Sequence, residues 1–408
     1  MLYTKSIQEI TYQDVVDFCQ QNYRENVYLD YKRQPEAGLA KTISAMANTW
    51  GGLIIVGIDE EDSKPKLPFV GIEYTEHIRE QINNIILGNI SPPIFPEIQV
   101  CEPKDGKTFI IIRISQSSIT PHAIKNNTKV YLRTDTSNEP EELANLERVS
   151  WLVDRRQKSV DLKENFLINA QERYGNCCAK EKFDGIPFAE NTLSISPAFP
   201  YEILKNAPIL RNAIINEIRV GGWNGNKVPT QNYAGEYHSV QQGIYNFVHN
   251  SETKYTSYTE LNEYGFYFSK FDLGNTDKQS DGSIRHSCFF GEILSHLDLF
   301  LESSRKLYTA LGYWGTLEFK FCLDKITSDV NFVGLPAPQG TSYRGRHPAS
   351  SSIDMAVKFT RLFSLTDLNG NKDKIVCDLF MEIAWSLDYH VLERELLEKI
   401  IQENRRYH

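Results

Sequence analysis

The chain has 408 residues, 41% hydrophobic and 24% charged, with a net charge of -9 at pH 7. These proportions exclude collagen-like, low-complexity and wholly disordered chains, and the acidic balance excludes a protein that coats nucleic acid through a uniformly basic surface. No apolar run reaches the roughly 20 residues that span a bilayer, and the start MLYTKSIQEITYQD lacks the apolar core of a secretory signal, so a cytoplasmic location is expected.

Thr11 is placed to cap a helix whose Tyr12, Val15, Val16 and Cys19 recur at helical spacing, with Asp14 three residues after the cap. Val27, Leu29 and Tyr31 then alternate with Tyr28, Asp30 and Lys32. This is the period-two pattern of a strand, and it points Asp30 and Lys32 the same way. GLAKTISAMAN, residues 38–48, predicts a helix closed by Asn48, Gly51 and Gly52. The apolar run LIIVGID from Leu53 predicts a strand buried on both faces that delivers Asp59 at its end. A helix is expected over Thr75 to Leu87, closed by Pro92, Pro93 and Pro96, and strands over Phe109 to Ile114 and Val130 to Arg133.

The fold class expected is α+β. A compact α/β unit occupies residues 1–150, the basic run WLVDRRQKSV at 151–160 is the boundary, and a mixed α+β domain fills 161–408. In the second domain the aromatic segment Tyr255 to Phe271 predicts antiparallel strands, Glu292 to Leu311 a helix, and Thr316 to Leu323 a strand. An irregular loop over Gly334 to Pro348 and a terminal helix over Lys374 to Asn404 complete it. Seven scattered cysteines read as reduced thiols, and none has the spacing of a structural zinc site. No GxxxxGK followed by Ser or Thr occurs, which leaves a P-loop nucleotide site unsupported.

Three acids stand out by placement: Glu25 just before the first strand, Asp30 on its polar face, and Asp59 at the end of the buried strand. If they converge, their mutual repulsion calls for a hard cation, Mg or Mn, which could activate water and stabilise charge on a phosphate. Lys32 would then hold that phosphate. Spacing alone favours the plainer reading: Glu25 as a solvated loop acid, Asp30 paired with Lys32 or Arg33, and Asp59 as the start of an acidic turn. His122 reads either as a phosphate contact or as a loop histidine held by neighbouring backbone, and Arg133 as a phosphate contact or an ion-pair partner of Asp135. Arg344 and Arg346, in SYRGRHP, form an exposed basic loop that is either a nucleic-acid contact or simply solvated.

ENVYLDYK at 25–32, KTISAMANTWGGLIIVGIDEE at 41–61 and PHAIKNNTKVYLRTDTSNEP at 121–140 occur in an order that resembles the Schlafen AlbA-type domain, over roughly the first 150 residues. In Schlafen nucleases, the resemblance implies, three acids form a metal-dependent RNA-cleaving site, and these correspond to Glu25, Asp30 and Asp59 here. Asp30 stands where the family commonly has Glu, and Tyr31 where it has Phe. The resemblance implies a Schlafen-like endoribonuclease in bacterial defence or regulation, with RNA rather than DNA as partner. The other reading is a non-catalytic nucleic-acid-binding or regulatory module with a sensing or oligomerising C-terminal domain. A homo-oligomer, with a two-fold dimer the commonest form, is compatible with either.

Overall fold

A computed structural model describes the whole chain except residues 1, 3, 4, 6, 37, 118, 135–136, 143–145, 182–188, 199–214, 222–226, 230–236, 251–254, 279–283, 312, 314, 327–329, 334–346, 349–355, 388, 390–392 and 406–408. Arg344 and Arg346 lie outside the described residues. The chain divides into two compact units, Met1–Asp161 with Trp314–Thr316, and Leu162–Tyr313 with Leu317–His408. Both mix helix and strand, as the α+β expectation requires. Among the described residues no helix is long and apolar enough to cross a membrane.

In the first unit a 3-10 turn, Ile7–Glu9, precedes α1 (Tyr12–Gln20). The Thr11 hydroxyl accepts the Asp14 N–H at 3.2 Å while the Asp14 carboxylate accepts the Thr11 N–H at 2.8 Å. This reciprocal cap satisfies two donors that a helix start otherwise leaves open. The strand β1 (Leu29–Lys32) lies parallel to β2 (Gly52–Val56), and α2 (Gly38–Asn48) makes the crossover between them. A short hairpin follows, β3 (Glu60–Glu61) and β4 (Lys64–Pro65). Next come α3 (Ile78–Asn89), β5 (Ile90–Ser91), β6 (Glu97–Val100) and β7 (Ile110–Ile114), then β8 (Ala123–Ile124), β9 (Lys129–Thr134) and β10 (Ser137–Glu142). One sheet runs β1-β2-β7-β6 and a second runs β10-β9-β8-β5.

The first sheet is covered on both faces, which explains the unbroken apolar run of β2. Leu53 and Ile55 pack with Val15, Phe18, Leu29 and Tyr31 on the α1 side. Ile54 and Val56 pack with Ile43, Met46, Ile82 and Ile86 on the α2 and α3 side. Asp30 pairs in register with Ile54, so it faces the α2 side, away from Leu29 and Tyr31. Beyond β2 the backbone turns at Gly57, with φ at +104°, where a Cβ would sit 3.0 Å from the Gly71 Cα. Glycine is therefore required there, and its N–H donates to the Lys32 carbonyl at 2.7 Å.

The unit boundary falls inside a single helix, α4 (Leu146–Lys180), which also contains the basic run at 151–160. In the second unit a seven-stranded sheet is built from β11 (Glu190–Pro197), β12 (His238–Val240), β13 (Gly243–Asn250), β14 (Tyr255–Asn262), β15 (Tyr267–Asp272), β16 (Thr316–Asp324) and β17 (Val357–Ser364). Its order is β12-β13-β14-β15-β11-β16-β17. Leu317, Phe319, Phe321 and Leu323 of β16 alternate inward onto α5 (Phe290–Ala310), where Ile293, Leu297, Phe300 and Leu301 meet them. On the opposite face Phe166, Ala170 and Tyr174 of α4 pack with Tyr258, Phe266 and Phe268. The expected terminal helix is two helices: α6 (Leu365–Ser386), started by a Ser364–Asp367 capping box, and α7 (Arg394–Arg405).

Candidate functional site

The site is assembled around β1. Glu25 lies ahead of that strand, and its N–H donates to the Ser63 carbonyl at 2.7 Å, which ties it to the β3–β4 hairpin. Its Oε1 accepts the Tyr31 N–H at 2.7 Å. Burial first, then the neighbouring Asp30 charge and a hydrogen bond with Glu60, push the Glu25 carboxyl up to about 8 against the opposing Tyr31 N–H.

Asp30 is buried at 2% exposure. Its Oδ2 accepts Arg133 Nη1 at 2.9 Å, and Lys32 Nζ lies against Oδ1 as an ion pair outside hydrogen-bonding geometry. The strand alternation that set Asp30 and Lys32 on one face is thus realised as a direct charge contact. Arg133 is fixed from three sides. Its Nη2 donates to the Asn26 carbonyl at 2.6 Å, its backbone N–H donates to Thr49 Oγ1 at 3.4 Å, and Asp30 takes Nη1.

The end of α2 holds the strand that carries Arg133. Asn48, fully buried, donates through Nδ2 to the His122 and Tyr131 carbonyls at 2.9 and 3.0 Å, and its Oδ1 accepts the His122 N–H at 2.7 Å. The Asn-Thr pair of the quoted motif is therefore a clamp between α2 and strands β8 and β9, and it positions Arg133 on Asp30.

Asp59 takes a different partner. Its Oδ2 stands 3.3 Å from Arg33 Nε, with the side chain 46% exposed, and Arg33 also donates to the Gly71 carbonyl at 2.7 Å. The carboxyl that reaches Glu25 from this segment is Glu60. Sequence reasoning missed Glu60 because adjacent residues on an extended chain point in opposite directions, and nothing in LIIVGIDEE fixes which of the two acids turns inward. His122 is buried at 1% exposure. Its Nδ1 is 2.8 Å from the Pro92 carbonyl and its Nε2 is 2.6 Å from Ser117 Oγ, so both ring nitrogens have partners within the protein. Arg133, at 2% exposure, is an ion-pair partner of Asp30; Asp135, the partner considered from the sequence, lies outside the described residues.

As folded, these residues do not fit a resident Mg or Mn ion. Both oxygens of Asp30 already face protein cations, Lys32 and Arg133. Among the described residues no group of three or more His, Cys, Asp or Glu is placed to hold a metal ion. The charge of Asp30 is met by an ammonium and a guanidinium.

Residues 22–142 match the family described as Schlafen, AlbA_2, and this part of the chain is a domain of that type. The match covers all of the site described above and points to a nucleic-acid-related function. No curated protein matches the chain. Among solved structures, the chain is similar to the N-terminal domain of a putative ATP-dependent DNA helicase RecG-related protein from Nitrosomonas europaea. The identity is 16%, over 30% of this chain and 88% of that one, with a TM-score of 0.25. It is also similar to the DIP2311 protein from Corynebacterium diphtheriae, at 17% identity and a TM-score of 0.23, over 32% of this chain and 25% of that one.

Proposed function

We propose that the AlbA_2-type Schlafen domain at residues 22–142 is a nucleic-acid-binding module whose acids serve as internal charge partners, with RNA as the favoured ligand. The observation that carries this reading is the buried ion pair of Arg133 and Asp30 with Lys32 on the second oxygen of Asp30. Those cations consume the carboxylate that a nuclease would need for its metal. Because the whole chain carries a net charge of -9, contact with phosphates has to be local and strongly weakened by salt. The test is fluorescence anisotropy of labelled single-stranded and hairpin RNA, with DNA of the same sequence, in EDTA. Salt-dependent binding with RNA preferred supports the reading, and absence of binding to every oligonucleotide contradicts it.

A second reading, a metal-dependent endoribonuclease, has one observation in its favour. Burial first, and then the nearness of Asp30 and Glu60, raise the Glu25 carboxyl, and the part that comes from those two acids is a repulsion that added positive charge would relieve. For an ion to bind, Lys32 would have to leave Asp30. Cleavage of structured RNA that needs Mg or Mn and fails in both Asp30→Ala and Glu60→Ala would establish this reading in place of the first.

A further inference from the structure

The loop between β7 and β8 carries a second constellation that the acid cluster does not use. Ser117 and His122 face each other across it, with Oγ and Nε2 2.6 Å apart, and the other ring nitrogen of His122 lies 2.8 Å from the Pro92 carbonyl. A carbonyl oxygen only accepts, so the neutral ring must carry its proton on Nδ1. Nε2 is then the acceptor, and the Ser117 hydroxyl must be the donor. Ser117 Oγ also accepts the Ile119 N–H at 3.1 Å, which leaves the hydroxyl proton directed at His122 and supports negative charge on the oxygen.

We propose that Ser117 is a nucleophile activated by His122, with the Pro92 carbonyl fixing the tautomer, and that the pair transfers acyl groups from small esters. The arrangement has the logic of a nucleophile, a base and a group that orients the base, read from geometry rather than from chain order. It is rigidly mounted. The Ser117 N–H donates to the Ala47 carbonyl at 2.9 Å, Thr120 Oγ1 donates to the Leu152 carbonyl at 3.3 Å, and Asn48 and Ser44 hold the His122 backbone. Burial lowers the His122 pKa, so the ring is an uncharged base at neutral pH. The base is buried while Ser117 is half-buried, so the hydroxyl rather than the ring is the group that an acyl carbon can reach.

In the step itself Ser117 Oγ bonds to the acyl carbon while its proton passes to His122 Nε2. The proton leaves with the departing alcohol, and a water molecule repeats the sequence to release the carboxylic acid and restore the serine. Ester and water are consumed, acid and alcohol are formed, and no oxidant or further reactant is needed.

The test is labelling of the full chain with an alkyl fluorophosphonate, in which a bond from Ser117 Oγ to phosphorus forms and fluoride leaves, with the modified residue located by peptide mass spectrometry. Native protein is expected to label at Ser117, with no label on protein held in urea, because the activation depends on the fold. His122→Asn, with its melting temperature checked, is expected to label about 100-fold more slowly or less. Native protein that leaves Ser117 unlabelled, or that labels it no faster than the urea-held chain, overturns the proposal. So does a folded His122→Asn variant that labels at the native rate. The native-against-urea comparison decides the matter even if the variant does not fold.

Discussion

Arg133 Nη1 and Asp30 Oδ2 stand 2.9 Å apart although 103 positions separate them in the chain, and their side chains are 0% and 2% exposed. A pair this deeply buried gains little over an apolar pair of the same shape, but breaking it leaves one charge stranded in a medium of low dielectric. Asp30→Asn, which strands the buried Arg133, is expected to cost about 3–5 kcal/mol of folding stability, and Arg133→Met less, because Lys32 stays on Asp30. The double variant should cost clearly less than the sum. Urea denaturation of the four proteins in a double-mutant cycle measures this.

Glu25 sets a pH dependence of definite sign. Its carboxyl is raised from 4.5 to about 8, with burial the largest cause. It binds its proton more tightly in the folded chain, so its contribution to stability is complete below the ordinary carboxyl value and lost as pH rises through about 8. Glu25→Gln keeps an acceptor for the Tyr31 N–H and removes the titration. Relative to wild type the variant should gain stability between about pH 5 and about pH 9, by on the order of a few kcal/mol. Melting temperatures of both proteins across that range check it, because titrating groups remote from Glu25 cancel in the difference.

Asn48 answers for the hold of α2 on strands β8 and β9. Its loss in Asn48→Ala removes three hydrogen bonds to buried backbone at His122 and Tyr131, and a buried polar group left unpaired costs about 1–3 kcal/mol. A loss of about 3 kcal/mol or more is expected in urea denaturation, with faster amide exchange at His122 than at residues of β2.

These energetics also mark how far the sequence could be read. The capping residues Thr11 and Asp14, the helix at 38–48 and the doubly buried strand from Leu53 were legible because each is decided by local spacing and hydropathy. The quoted motifs also located the AlbA_2-type domain, whose match spans residues 22–142. The long helix Leu146–Lys180 was not legible, since its basic stretch reads as a break when the partners of Leu152, Phe166 and Tyr174 are unknown. The terminal helix was misdrawn because the Ser364–Asp367 cap that starts α6 was overlooked. In the site, the convergence of Glu25 on Asp30 was expected. The choice of Glu60 over Asp59, and of Asp30 as the partner of Arg133, depends on turns and strand pairings that residue spacing does not encode.

The most direct measurement is calorimetric titration of Mn into the wild-type chain and into Asp30→Asn at neutral pH and low salt. With Lys32 and Arg133 already on Asp30, wild type and variant should give the same featureless heats, with no stoichiometric site. A one-to-one binding isotherm in wild type that disappears in Asp30→Asn would contradict the account, because the ion would then be taking the place assigned here to the lysine and the arginine.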